Sequence, residues 1–197
     1  MSKVNKATAL LGASNLSETD RADNDFYATP PSAVEMLLEK ESFSNKIWEP
    51  AAGLNHITNV LLNHGHYVFA SDIIQRLPDI AIQDFLITDM TWDGDIITNP
   101  PYSLAAQFVE KAMNILKPNR KLAMLLKLQF LETKGRRDLF RKYPPKTVYV
   151  SSSRLACVKN GDFENYHGSS SAVCYAWFVW EKGFTGDPVI KWFNDNL

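Results

Sequence analysis

Cysteine is nearly missing from this chain. Cys157 and Cys174 are the only two, too few for the disulfide framework of a small secreted domain, and no Cys/His spacing of the zinc-binding kind occurs. Long apolar runs are missing too, since none approaches the ~20 residues that cross a bilayer. Met1 to Asn24 is polar and small, without the apolar stretch of a signal peptide. No excess of one charge is present: 21 Lys/Arg against 22 Asp/Glu leave −1, so any affinity for phosphate must come from a local surface. These absences point to a cytoplasmic protein with reduced thiols, no membrane segment and no metal. What is present is 197 residues, 45% of them hydrophobic, enough to bury one core.

The order of patterns predicts alternating strands and helices. Residues 1–25, rich in Ser, Asn, Asp and Ala, read as a flexible arm. Residues 26–197 read as one domain with no separate target-recognition domain. Pro30-Pro31 opens a helix over Ala33 to Lys40. Strands are expected over Lys46 to Glu49, Tyr67 to Ala70 and on to Asp72, Ile80 to Phe85, Asp95 to Thr98 and Leu122 to Leu128. Helices are expected over Ile57 to His64 and Leu104 to Leu116, with a basic helix or loop-helix over Leu131 to Tyr143. Two late strands, Thr147 to Val150 and Ala172 to Trp180, are expected to make an antiparallel edge. This alternation implies a doubly wound, mostly parallel α/β sheet.

Two features stand out on that frame. Between Lys117 and Lys146 lie ten Lys/Arg and two acids, a local charge of +8 that leaves −9 for the rest. Such a segment is either a solvated face or a nucleic-acid contact. The other feature is Asn99-Pro100-Pro101-Tyr102, directly after the strand ending at Thr98. Two prolines stop the strand and stiffen the turn, so an amide and an aromatic ring are held at the strand's C-terminal end, where open α/β sheets bind ligands. The turn suits a planar amine, whose two N–H groups the Asn99 oxygen and a nearby carbonyl accept while Tyr102 stacks on the ring. Glu49, Asp72, Asp84 and Asn99 end four successive strands and should line one crevice. The loop Pro50-Ala51-Ala52-Gly53 after Glu49 lets backbone approach a ligand closely, and Asp72, about twenty residues on, suits ribose hydroxyls.

Together these segments resemble amino-group DNA methyltransferases of the adenine-N6 type, and small phage-like methylases in particular. Tyr27-Ala28-Thr29-Pro30-Pro31 resembles the segment before the family's first strand. Glu49-Pro50-Ala51-Ala52-Gly53 resembles its cofactor loop, Ser71-Asp72-Ile73 its ribose-binding segment, Asp84-Phe85-Leu86 the contact to the cofactor's adenine, and Asn99-Pro100-Pro101-Tyr102 the catalytic turn. The run Leu125 to Glu132, then Arg137, Pro144-Pro145 and Arg154, is similar to the phage-like members. The resemblance implies a Rossmann-like methyltransferase fold, S-adenosylmethionine as cofactor and DNA as partner, with RNA possible in its place. It implies that Glu49 takes the cofactor's ammonium, Asp72 the ribose and Asp84 the adenine amine. Phe85 packs on the adenine ring or belongs to the core. Tyr27, Thr29, Pro50, Ala51, Gly53, Ile73 and Asn99 complete the cofactor site. Asn99, Pro100, Pro101 and Tyr102 form the catalytic set, and Lys134, Arg136, Arg137 and Arg154 are the candidate phosphate contacts. One departure is visible: the family continues Gly-x-Gly, whereas Gly53 is followed by Leu54-Asn55, which puts a side chain beside the methionine end of the cofactor. The turn alone also serves an RNA adenine or a protein glutamine amide, and the altered loop leaves a non-catalytic binding module as a further alternative.

Overall fold

Every strand along the middle of the sheet is buried on both faces, and this sets the architecture. In a computed structural model, which describes residues 27–132, 134–152, 155, 157–159 and 173–193, the elements are β1 (Tyr27–Ala28), α1 (Pro31–Lys40), β2 (Lys46–Glu49), α2 (His56–Asn63), β3 (Tyr67–Asp72), β4 (Ala81–Ile82), β5 (Asp95–Thr98), α3 (Ala105–Ile115), β6 (Lys121–Lys127), α4 (Arg137–Lys142), β7 (Thr147–Ser151), β8 (Val158–Lys159), β9 (Tyr175–Glu181) and β10 (Val189–Phe193). Eight strands form one sheet in the order β10-β7-β9-β6-β5-β2-β3-β4, and β1 pairs with β8 in a separate ribbon. The arm expected over residues 1–25 and most of the polar stretch before β9 lie outside the described residues.

Alternation along β6 shows how the layers form. Leu122, Met124 and Leu126 face a core that holds Phe108, Val109 and Met113 of α3 and Leu139 of α4. Ala123 and Leu125 face the opposite core, with Val34 and Leu37 of α1 and Ile57 and Leu61 of α2. Successive strand side chains point to opposite faces, so a strand covered on both sides reads as one apolar run. The buried indoles are satisfied: Trp177 Nε1 donates to the Ala33 carbonyl at 2.8 Å, and Trp48 Nε1 donates to Ser71 Oγ at 2.9 Å. Among the described residues no helix is long and apolar enough to cross a membrane.

The expected α/β fold with its mostly parallel sheet is present. Neighbours β2–β3, β2–β5 and β5–β6 are parallel. β9 runs antiparallel between β6 and β7, so the late antiparallel pairing is also present. The outermost strand on that side, however, is β10, parallel to β7, which the pattern does not predict. Its residues Val189, Ile190 and Trp192 are half exposed, so no buried run announces it. The third expected strand shrinks to Ala81–Ile82. Its apolar tail bends away because Asp84 Oδ1 accepts the Leu86 N–H at 2.8 Å, closing a turn. Of the basic helix or loop-helix expected over Leu131 to Tyr143, only Arg137–Lys142 is α-helical among the described residues, after 3-10 turns at Leu128–Leu131 and Lys134–Arg136.

Candidate active site

Strand order reverses between β2 and β5, and the crevice over their C-terminal ends is where such sheets hold ligands. Glu49 ends β2, Asp72 ends β3 and Asn99 follows β5. The structure therefore brings these three together. The β1 segment crosses the same end, so that Tyr27, Thr29, Glu49, Ala51, His56 and Asn99 line one recess.

Glu49 is 2% exposed. Its carboxylate accepts the Thr58 hydroxyl from the first turn of α2, and no cation contacts it among the described residues. Desolvation pushes its pKa up to about 8; hydrogen bonds from the Thr58 side chain and backbone oppose the rise, and the nearby Asp72 adds to it. Thr58 is a site residue that sequence reasoning missed. No short motif marks it, and it meets Glu49 only because α2 packs against β2. Near it, the Thr29 hydroxyl is buried without a hydrogen-bond partner among the described residues, which marks a place for a polar ligand group.

The loop joining β2 to α2 has two left-handed positions, Gly53 at φ 56 and Asn55 at φ 61. Asn55 thus has the backbone that the family's second glycine would supply, and Asn tolerates it better than most residues. Its Nδ2 donates to Asp79 Oδ2 at 2.8 Å, and its carbonyl accepts the Asn59 N–H as α2 begins. The Gly53 N–H donates to Asp72 Oδ2 at 2.9 Å, tying this loop to the end of β3. Asp72 Oδ1 accepts from the Ile74 N–H at 3.0 Å and from Arg76 at 3.3 Å. Ile73 beside it is 62% exposed. Pro50 is buried and Ala51 half-buried against the core.

Asp84 sits in the turn after β4 rather than on a strand. Phe85 is 1% exposed. Its ring meets Trp48 edge-on at 5.1 Å and Phe108 at 4.8 Å, so of the two expectations for Phe85 the structure shows the core position.

On the prolyl turn, Asn99 Nδ2 donates to the Tyr27 carbonyl at 2.8 Å, across 72 residues of sequence. That bond fixes which end of the amide is the donor and leaves Oδ1 as its acceptor. Pro100 is buried, Pro101 is exposed, and Tyr102 starts a short 3-10 turn closed by Leu104 N–H on the Pro101 carbonyl at 2.9 Å. The Tyr102 ring lies 6.3 Å from that of Tyr27, at 23°, and 6.1 Å from that of Tyr175. Burial above all, then Cys157 and Tyr175, holds the Tyr102 phenol well above its ordinary pKa.

The basic segment divides in two. Lys117 and Arg120 pair with Asp93, Lys121 with Glu41 and Lys146 with Glu181. Lys134, Arg137 and Arg141 instead line a groove of about 590 Å³ beside α4, floored by Leu131, Phe140 and Pro144 and closed by Thr185 to Pro188. Among the described residues Arg137 and Arg141 have only distant, exposed contacts to Asp138, at 3.7 Å. Arg136 turns inward, unlike the phosphate contact expected of it. It donates to the carbonyls of Phe130, Gln129 and Glu132, and its guanidinium lies 4.6 Å from the centre of the Phe130 ring. Arg154 lies outside the described residues. Arg141 was not anticipated, although its spacing from Arg137 places both on one helical face.

No family model and no curated protein matches the chain. Solved structures do. A protein from Listeria monocytogenes described as a class I S-adenosylmethionine-dependent methyltransferase matches at TM-score 0.58 and 17% identity, over 84% of this chain and 65% of that one. The 1,6-didemethyltoxoflavin-N1-methyltransferase of Burkholderia thailandensis, solved with S-adenosylhomocysteine, matches at 0.51 and 14%, over 92% and 91% of the two chains. The type IIG restriction endonuclease BpuSI matches at 0.54 and 13%, over 84% of this chain and 27% of that one. The chain thus has the Rossmann-like fold of these methyltransferases, while spanning less than two thirds of the Listeria protein.

Proposed function

We propose that the protein is an S-adenosylmethionine-dependent methyltransferase acting on the N6 amine of adenine in DNA. The observation that carries the reading is the anchored amide of Asn99: its N–H is fixed on the Tyr27 carbonyl, and its oxygen remains to accept from a planar amine beside the Tyr102 ring.

The residues fit the cofactor. Glu49 offers a buried carboxylate that no cation contacts among the described residues, matched to an ammonium. The Thr29 hydroxyl lacks a partner among the described residues, which suits the carboxylate end. Gly53 and Asn55 hold the loop backbone open to close approach, with the Asn55 side chain drawn aside by Asp79. Asp72 would exchange its Arg76 contact for ribose hydroxyls, and Ile73 and Asp84 would meet the adenine. The recess at the methionine end is narrow, a void of about 10 Å³, room for about one water. Binding therefore moves the segment 27–30 outward.

S-adenosylmethionine, when bound, supplies an electrophilic methyl group. The chain's own work is orientation. Asn99 Oδ1 and the Pro100 carbonyl accept the two N–H bonds of the amine, aiming its lone pair. Asn99 is uncharged, so it directs the amine without taking its proton, which the amine, made acidic by methylation, then releases to water. Tyr102 stacks on a base turned out of the helix, offsetting part of an unstacking cost of a few kcal/mol. Exposed cations along α4, held only loosely by Asp138, support a nucleic-acid substrate over a protein one. Tritiated-methyl transfer to DNA, RNA and protein extract tests the reading. Label in DNA adenine is expected, and label only in RNA or in protein would replace it with the corresponding alternative. Asn99→Ala should cut turnover roughly a hundredfold or more, measured by methyl transfer at saturating cofactor.

A further inference from the structure

We propose that Lys127 binds the phosphate adjoining the nucleotide that is methylated, acting with Tyr102 as a two-part reader of base and backbone. The proposal rests on the nucleic-acid reading above.

Lys127 is the last residue of β6, the neighbour of β5 in the sheet. Its backbone is held firmly. It stands opposite Tyr175 in the β6–β9 register, and the next residue, Leu128, donates its N–H to the Cys174 carbonyl at 2.8 Å. Five buried residues precede it, and alternation sends its side chain to the face shared by Ala123 and Leu125. There its ammonium stands 5.0 Å from the centre of the Tyr102 ring. The movable part of the residue is therefore a cation on a flexible stem, poised over the aromatic member of the catalytic turn.

Charge partners set it apart from the four cations that flank it at the ends of the segment. Lys117, Arg120, Lys121 and Lys146 each contact a carboxylate. Lys127 is half-buried and contacts none among the described residues. A ring face compensates a desolvated cation only in part. The use of Lys127 lies with an anion that arrives with the substrate. On a nucleic acid the anion nearest any base is the phosphodiester of its own nucleotide.

The test compares wild type with Lys127→Met, which keeps the stem against Tyr102 and removes the charge, and Lys127→Arg, which keeps the charge. The probe is genomic DNA, then a duplex carrying the adenine that wild type labels. Lys127→Met should raise KM for DNA roughly tenfold and lower the slope of log affinity against log salt by about 0.9. Cofactor affinity and kcat should stay within about twofold, and Lys127→Arg should restore KM. A neutral methylphosphonate beside the target adenine should cost wild type a similar factor and cost Lys127→Met nothing further. An unchanged KM and slope would overturn the proposal, as would a loss that arginine does not rescue and that follows the melting temperature. If wild type labels no nucleic acid, the reading of the substrate fails first, and that result is separate because it needs no variant.

Discussion

A carboxylate buried at Glu49, with no cation against it among the described residues, destabilises the protein that it equips. Its pKa is pushed up to about 8 from an ordinary 4.5, so the folded state binds this proton more tightly than the unfolded chain. Stability contributed at this position is therefore highest below about pH 4.5 and declines as pH rises toward 8. Glu49→Gln should remove that decline and raise the melting temperature by a few degrees at pH 8, as thermal unfolding across pH would read. The same variant should weaken the cofactor roughly tenfold or more. In wild type an arriving ammonium favours the ionised form. Affinity should thus increase with pH up to about 8, and calorimetry at pH 7 in buffers of different ionisation enthalpy should register close to one proton released. Asn99→Asp is a second test at this scale. It keeps an acceptor but sets an oxygen against the Tyr27 carbonyl in place of the N–H. Turnover should fall nearly as far as in Asn99→Ala, measured by methyl transfer.

At the scale of elements, the loop before α2 and the β1 segment decide how the site is shaped. Asn55→Ala keeps a left-handed backbone without the side chain that makes it tolerable and cuts the bond to Asp79. It should cost about 1–3 kcal/mol in denaturant unfolding. Asn55→Gly should cost less than about 1 kcal/mol, because glycine takes that backbone freely. The β1 segment is held by a two-residue pairing with β8 and by the Asn99 bond, and under the proposed function it moves aside to admit the cofactor. Amides of Ala28 and Thr29 should exchange rapidly with solvent in the unliganded protein and slow on adding S-adenosylmethionine. Equal exchange in both states would mean that this segment does not cover the site.

Across the whole molecule, charge is sorted rather than balanced. Cations paired with Asp93, Glu41 and Glu181 contribute little outward field, and those of the α4 groove lack such close partners among the described residues. Replacing Arg137 and Arg141 together by Gln should lower the salt slope of DNA binding by about 1.8 and leave cofactor affinity unchanged. Arg136→Gln should instead lower thermal stability, because its guanidinium holds three carbonyls of the turn that follows β6.

Much of the fold was legible in the amino-acid sequence, for a physical reason. Strands buried on two faces must be apolar throughout, so β2, β5 and β6 declared themselves together with the polar residues that end them. The prolyl turn after β5 was equally legible, because two prolines leave the chain few conformations. The half-exposed β10 has no such constraint and depends on β7 for its place. Tertiary structure alone decided which side of the Asn99 amide is the donor, since the Tyr27 carbonyl is 72 residues away. It likewise decided that Thr58 meets Glu49, that Arg136 turns inward while Arg141 faces the groove, and that Phe85 joins the core. Local periodicity states what a side chain can bury, whereas a partner distant in sequence is chosen only when the layers close.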